Sequence, residues 1–162
     1  MVNTLILISA CLVGFDVKYD GSNNFNEIIS EWFATKKAIP VCPEVLGGLS
    51  TPRDPAEMVG GDGDDVLDGK AKVITKYGKD VTDAFIKGAY ETLNIALETG
   101  ATTVILKERS PSCGGTMIYS GEFNGHKKGG HGVTAALLKR NGIKIFSEEN
   151  IDKYIDEIEA GG

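Results

Sequence analysis

Apolar residues along this chain form short uninterrupted runs that alternate with longer amphipathic stretches. The runs predict buried strands over 4–9, 38–42, 102–106 and 144–146, with a further short strand over 117–119. Apolar residues at helical spacing predict helices over about 24–37, 83–98, 133–140 and from Ser147 to near Glu159. This alternation is typical of a three-layer, Rossmann-like α/β fold, in which helices cover both faces of a mostly parallel sheet.

The pattern is less regular between the second strand and the second long helix. Pro43 predicts the end of regular structure after the strand over 38–42. The glycine- and proline-rich stretch 46–63 predicts a long ordered loop. Residues 64–76 predict a hairpin that turns at Asp68-Gly69. In the helix over 83–98, five apolar residues are expected to face inward, namely Phe85, Ala89, Leu93, Ala96 and Leu97.

Length and composition indicate one globular domain, which we expect to span residues 1–162. Hydrophobic residues make up 41% and charged residues 25%, and the formal net charge of −6 disfavours nucleic acid as a partner. The apolar run Leu5–Ile8 is far shorter than a membrane span and has no basic flank, so neither a membrane anchor nor a signal peptide is predicted. The expected location is the cytoplasm, and the oligomeric state is left open.

The three cysteines occupy equivalent places in the predicted fold. Cys11, Cys42 and Cys113 each follow the C-terminal end of a predicted strand. In parallel α/β sheets ligands bind outside the carboxyl ends of the strands, so the three thiols are expected to meet at one edge of the sheet. The alternative is three ordinary buried thiols that pack as small apolar groups. The shared position favours a common site.

Three thiolates suit a metal centre with one open position. A closed structural zinc site uses four ligands, and the closely spaced cysteine pairs of zinc fingers and ferredoxins do not occur here. Sulfur ligands favour zinc, Cu(I) or iron–sulfur centres. In an iron–sulfur cube with three protein thiolates one iron is free to act as a Lewis acid.

Several blocks of the sequence resemble the bacterial thiouracil desulfidase family, from about residue 5 to about residue 150. The blocks are ISACLVG at 8–14, KYDG at 18–21, CPEVLGGL at 42–49, TPR at 51–53, LKERSPSCG at 106–114 and GVTAALL at 132–138. The resemblance implies a [4Fe–4S] cluster held by Cys11, Cys42 and Cys113. It also implies a non-redox reaction that removes sulfur from thiouracil, or from a related thiolated pyrimidine or its nucleotide, and gives uracil and sulfide.

In that family the thiocarbonyl sulfur binds the open iron while water attacks the carbon. Carried over to this sequence, Glu44 becomes the acid or base, and one of Ser110 and Ser112 becomes a catalytic group near the substrate or the cluster. General-base catalysis requires a group close to the attacking water, and Glu44 lies two residues from a cluster ligand. The alternative for Glu44 is a loop carboxylate in a surface ion pair.

Four further residues are candidates for substrate binding: Ser9, Arg53, Gly130 and Thr134. Gly130 and Thr134 lie where a glycine-rich stretch enters a helix, and helix N-terminal amides bind anions such as a nucleotide phosphate. Arg53 is expected to clamp a carbonyl or phosphate, or to hold its own loop by pairing with a carboxylate. The glycine-rich stretch has the alternative of a flexible surface loop.

Two other functions stay open from the sequence. One is a metal- or cluster-binding redox sensor without turnover, which the same three cysteines would serve. The other is a zinc-dependent hydrolase with three thiolate ligands, which the lack of histidine-rich motifs disfavours.

Overall fold

The computed structural model describes residues 6–35, 38–108, 110–115 and 117–149. In chain order its elements are β1 (Ile6–Ser9), a 3₁₀ helix (Ala10–Val13), α1 (Glu27–Thr35), β2 (Ala38–Val41), α2 (Pro43–Leu46), β3 (Ala56–Val59), α3 (Gly63–Leu67), β4 (Lys72–Thr75), α4 (Thr82–Thr99), β5 (Thr103–Leu106), β6 (Met117–Tyr119), β7 (Lys127–Gly129), α5 (Val133–Arg140) and β8 (Lys144–Ser147). The first two residues of the predicted strand over 4–9, and the predicted C-terminal helix beyond Glu149, lie outside the described residues.

The main sheet is parallel and has the strand order β2-β1-β5-β8. After β1 the chain adds β2 on one side of it and later β5 on the other, so the winding direction reverses between β1 and β5. At such a reversal the loops that follow the two strands diverge and leave a crevice at the carboxyl edge of the sheet. Two antiparallel ribbons, β3-β4 and β6-β7, accompany this sheet.

The two faces of the sheet are both covered. Leu7 of β1 and Val104 of β5 belong to a core cluster with buried residues of α4 and α5. Ile8 and Ile105 point the other way and pack with Ile29 of α1. Each of these fully buried side chains contributes roughly 1.5–3 kcal/mol through burial. The predicted three-layer α/β fold is confirmed.

Helix α4 shows where the inward-facing set was correct and where it was wrong. Phe85, Ala89, Leu93 and Ala96 are buried as predicted, whereas Leu97 is 64% exposed. Each step of four residues advances about 40° around a helix, so the series 85, 89, 93 drifts out of the buried stripe by position 97. Gly100 then ends the helix with φ of 74°, in the left-handed region that glycine adopts easily.

The structure corrects the prediction that Pro43 ends regular structure. Pro43 is the first residue of α2, where its missing N–H is not needed. The first predicted helix also begins later than position 24. It starts at Glu27, because the side chain of Asn26 accepts a hydrogen bond from the backbone N–H of Ile29.

The predicted loop over 46–63 and hairpin over 64–76 were wrong in part. The loop contains β3, which pairs with β4, so the ribbon joins 56–59 to 72–75. Residues 63–67 form α3, because Asp62 accepts hydrogen bonds from the amides of Asp64 and Asp65 while Asp65 bonds back to Asp62. This acidic capping box outweighs the Asp68-Gly69 turn signal. Strand β7 was not predicted.

Within the described residues, none of the helices combines the length and the apolar character that a membrane span requires.

Candidate active site

A cavity of about 720 Å³ opens at the carboxyl edge of the main sheet. All three cysteines line it: Cys11 from the 3₁₀ helix after β1, Cys42 between β2 and α2, and Cys113 from the turn after β5. The structure therefore brings to one cavity three thiols that are far apart in sequence. Cys113 is buried, while Cys11 and Cys42 are partly exposed.

Each sulfur has a polar neighbour. The side-chain amide of Asn24 donates to Cys11 Sγ at 3.4 Å. Cys42 Sγ lies 3.8 Å from the carbonyl oxygen of Val17, to which the thiol donates. Cys113 Sγ lies 3.6 Å from Ser112 Oγ. These contacts orient the thiols, which sets them apart from cysteines that only fill space in a core.

Burial keeps the thiols protonated when no cation is present. It raises the pKa of Cys42 to about 11, with a further increase from the nearby carboxylate of Glu44. Burial likewise raises the pKa of Cys11 and of Cys113. Binding of a soft metal centre would displace these protons, because the thiolate is the ligand.

Among the described residues, no three His, Cys, Asp or Glu side chains lie close enough together to hold one metal ion. The three thiols that line the cavity are soft sulfur ligands of the kind that both zinc and iron–sulfur centres use.

Glu44 lies beside the cysteines as part of a polar network. Its Oε2 accepts a hydrogen bond from Arg53 Nη2 at 2.9 Å, and the two side chains are only 15% and 10% exposed. Its Oε1 accepts a hydrogen bond from the hydroxyl of Ser112. Arg53 Nη2 also donates to the Val17 carbonyl at 2.9 Å, which ties the loop of Arg53 to the loop that follows β1. The carboxylate is thus fixed at both oxygens.

The two candidate serines have different surroundings. Ser110 lines the cavity, and its Oγ accepts hydrogen bonds from the amides of Ser112 and Cys113, each at 3.3 Å. Ser112 is fully buried and lies between Glu44 and Cys113. Ser110 therefore shapes the turn that carries Cys113, and Ser112 links the carboxylate to the sulfur.

A family model described as 2-thiouracil desulfurase matches residues 6–150 of this sequence. The chain belongs to the 2-thiouracil desulfurase family. Uncharacterized protein YbbK of Bacillus subtilis (strain 168) is 51% identical over 151 residues, which are 93% of this chain and 100% of that protein. The solved structure of TudS, a [4Fe–4S]-dependent thiouracil desulfidase, is 40% identical with a TM-score of 0.85, and the match covers 97% of this chain and 99% of that one.

In this member of the 2-thiouracil desulfurase family, the turn at 111–115 rests on the start of α5. The amides of Gly132, Val133 and Ala135 donate to carbonyl oxygens within that turn, at 2.7, 2.8 and 3.0 Å. These amides were expected to be available to a phosphate. They are instead used to hold the cysteine turn, so the structure corrects the prediction of an anion site at this helix.

Two of the four predicted substrate-binding residues reach the cavity and two do not. Ser9 and Arg53 line it, and Ser9 Oγ accepts a hydrogen bond from the amide of Lys107 at 3.0 Å. Gly130 packs against Asp62 instead, and Thr134 is fully buried in the first turn of α5. Neither of these two lines the cavity, because the cysteine turn covers the start of α5.

Sequence reasoning missed two parts of this family member's site. Asn24 contacts Cys11, but the sequence placed it at the start of the predicted helix over 24–37 and gave no signal of this contact. Lys107 lines the cavity and pairs with Glu148, with Nζ 2.8 Å from Oε2. The position of Lys107 directly after a predicted strand was the signal that could have drawn attention to it.

Proposed function

We propose that this chain is a [4Fe–4S]-dependent thiouracil desulfidase. The reaction replaces the thiocarbonyl sulfur of thiouracil, or of a related thiolated pyrimidine, with the oxygen of water. One carbon–oxygen bond forms, the carbon–sulfur bond breaks, and uracil and sulfide leave with no net oxidation or reduction. The observation that supports the proposal most directly is the convergence of Cys11, Cys42 and Cys113 on one cavity beside Glu44.

The residues present fit a [4Fe–4S] cluster. Cys11, Cys42 and Cys113 offer three soft sulfur ligands around a cavity with room for both a cluster and a small substrate. When bound, the cluster supplies an iron without a protein ligand, which acts as a Lewis acid with affinity for the departing sulfur.

We assign Glu44 the role of the general base that accepts a proton from the attacking water. Arg53 donates a hydrogen bond to its Oε2 and orients the carboxylate. Oε1 already accepts a hydrogen bond from Ser112 and has a further lone pair to receive the proton. Ser112 would act by positioning Glu44, and Ser110 by holding the amides of the Cys113 turn.

The substrate is expected to be a small molecule, either the free thiolated base or its nucleotide. A cytoplasmic location accords with this proposal, since free thiols persist under reducing conditions. The anion site that would have favoured a nucleotide is occupied by the cysteine turn. We therefore take the free base as the first substrate to assay.

Anaerobic purification, followed by iron and sulfide analysis and a 2-thiouracil assay, tests the proposal. We expect about four irons per chain, as the cluster formula requires, together with release of uracil and sulfide in equal amounts. Changing Cys11, Cys42 or Cys113 to Ser should remove both the cluster and the activity.

The outcomes separate the candidate functions. A cluster-loaded chain that releases no sulfide from thiouracil would favour the redox sensor over the desulfidase. If the chain binds only zinc, even after anaerobic reconstitution with iron and sulfide, the proposal is excluded.

A further inference from the structure

Asn24 lies on the wall of the cavity with its side-chain amide against a cysteine sulfur. Nδ2 donates to Cys11 Sγ at 3.4 Å, and the backbone N–H of the same residue donates to the Cys11 carbonyl at 2.9 Å. Asn24 therefore contacts Cys11 through both its main chain and its side chain.

The backbone on either side fixes Asn24 in this position. The amide of Asn26 donates to the Leu12 carbonyl at 3.0 Å, so residues 24–26 run alongside residues 11–12. Asn26 then caps α1, which is anchored by the fully buried Ile29. The Nδ2 donor is consequently held in place before any metal centre binds, at little entropic cost.

The contact at Cys11 differs from those at the other two sulfurs. Cys42 Sγ faces the Val17 carbonyl, which accepts a hydrogen bond from the thiol, and a hydrogen bond from the backbone N–H of Val45 lowers the pKa of Cys42. The Ser112 hydroxyl near Cys113 already donates to Glu44. At Cys11 the donor is a side-chain amide, which a single substitution removes, and its hydrogen bond becomes stronger when the sulfur carries a negative charge.

We propose that Asn24 is a positioning residue that donates an N–H···S hydrogen bond to the Cys11 thiolate and thereby tunes the iron–sulfur centre. The inference rests on the proposed function, because it requires the cluster. Hydrogen bonds to the sulfurs are one of the features that set the reduction potential of such centres. By withdrawing charge from the sulfur, Asn24 raises the potential. By orienting the thiolate and disfavouring its protonation, Asn24 also slows loss of iron from the Cys11 corner.

The test replaces Asn24 with Leu, which has the same branched shape and no N–H donor. We expect the midpoint potential of the anaerobically loaded protein to shift to a lower value. The chelator concentration that removes half of the iron should fall about 10-fold, as is usual when a partner of a metal ligand is lost.

A matched control is available one residue earlier. Asn23 donates through Nδ2 to Asp16 Oδ1 at 2.9 Å and belongs to the same loop. Asn23→Leu removes an equivalent amide from that loop and should leave the potential unchanged. Asn24→Ala, compared with Asn23→Ala, provides a second pair that removes the amide without adding a charge, and the variant at position 24 should again give the lower potential.

The results separate failure of this inference from failure of the proposed desulfidase function. If the wild-type chain holds four irons and both variants at position 24 keep its potential and its resistance to the chelator, Asn24 has no role toward the cluster and the proposed function stands. If the wild-type chain holds no cluster, both fail.

Discussion

Glu44→Gln tests the proposed chemistry most sharply, because the change removes a charge while keeping the shape of the side chain. Glutamine can still accept from Arg53 through its carbonyl oxygen, and its amide can donate to Ser112 Oγ. The protein should therefore lose the charge pairing of Arg53 but keep its hydrogen bonds, and because the pair is 10–15% exposed the cost should stay below the roughly 3–5 kcal/mol of a fully buried pair.

Catalysis should fall while the protein stays folded. A general base contributes at least about 10²-fold to a rate, so kcat should fall by that factor or more, equivalent to about 2.7 kcal/mol of transition-state stabilisation. The iron content and the cluster absorbance should stay at the wild-type level, because Glu44 is not a predicted ligand.

The assay is uracil formation from 2-thiouracil by anaerobically loaded protein, with iron measured in the same sample. Glu98→Gln makes the same chemical change on the exposed face of α4 and should have wild-type kcat. An unchanged kcat in Glu44→Gln would remove this residue from the mechanism. Loss of iron along with activity would show that Glu44 maintains the site rather than moving a proton.

Two further predictions concern the stability of the protein. A Cβ at Gly132 would lie 2.4 Å from the carbonyl carbon of Ser112, so Gly132→Ala should lower the free energy of unfolding by about 1–3 kcal/mol and reduce iron loading. Gly129→Ala, with no neighbour within 4 Å, should do neither, and equal urea midpoints for the two variants would refute the close packing. The second prediction is a pH dependence that arises from the thiols, which in the folded state have pKa values above their ordinary value of 9.0, about 11 for Cys42. Their contribution to stability is complete below pH 9 and is lost as the pH rises towards 11. The free energy of unfolding in urea should therefore decline over this pH range, and the decline should be smaller in Cys42→Ser. A free energy of unfolding that does not change over this range in the wild type would contradict the prediction.

The parallel sheet could be predicted because its strands are apolar on both faces. Leu7 and Ile8 contact opposite layers, so the sequence between 6 and 9 cannot alternate and reads as one buried run. The shared edge of the cysteines followed from that sheet. The segment over 43–76 was misjudged because capping by Asp62 and Asp65, and a proline at the first position of a helix, outweighed the turn signals.

Much of the candidate site depends on contacts that no local sequence pattern predicts. Glu44 and Ser112 meet although 68 positions separate them, and the Asn24 contact depends on a loop that returns to the end of β1. The glycine-rich entry to α5 has the composition of an anion site, but it holds the Cys113 turn instead. Only the tertiary structure decides between these uses of the same amides.

The three thiols become neighbours only when β1, β2 and β5 have paired side by side. Short metal-binding motifs can capture their ion on an unfolded segment, but ligands borne by three separate crossovers cannot. In this protein the sheet would then form before the cluster is inserted, and any protein that delivers the cluster would bind the folded chain. Once inserted, the centre would cross-link the three segments that follow β1, β2 and β5 at the carboxyl edge of the sheet.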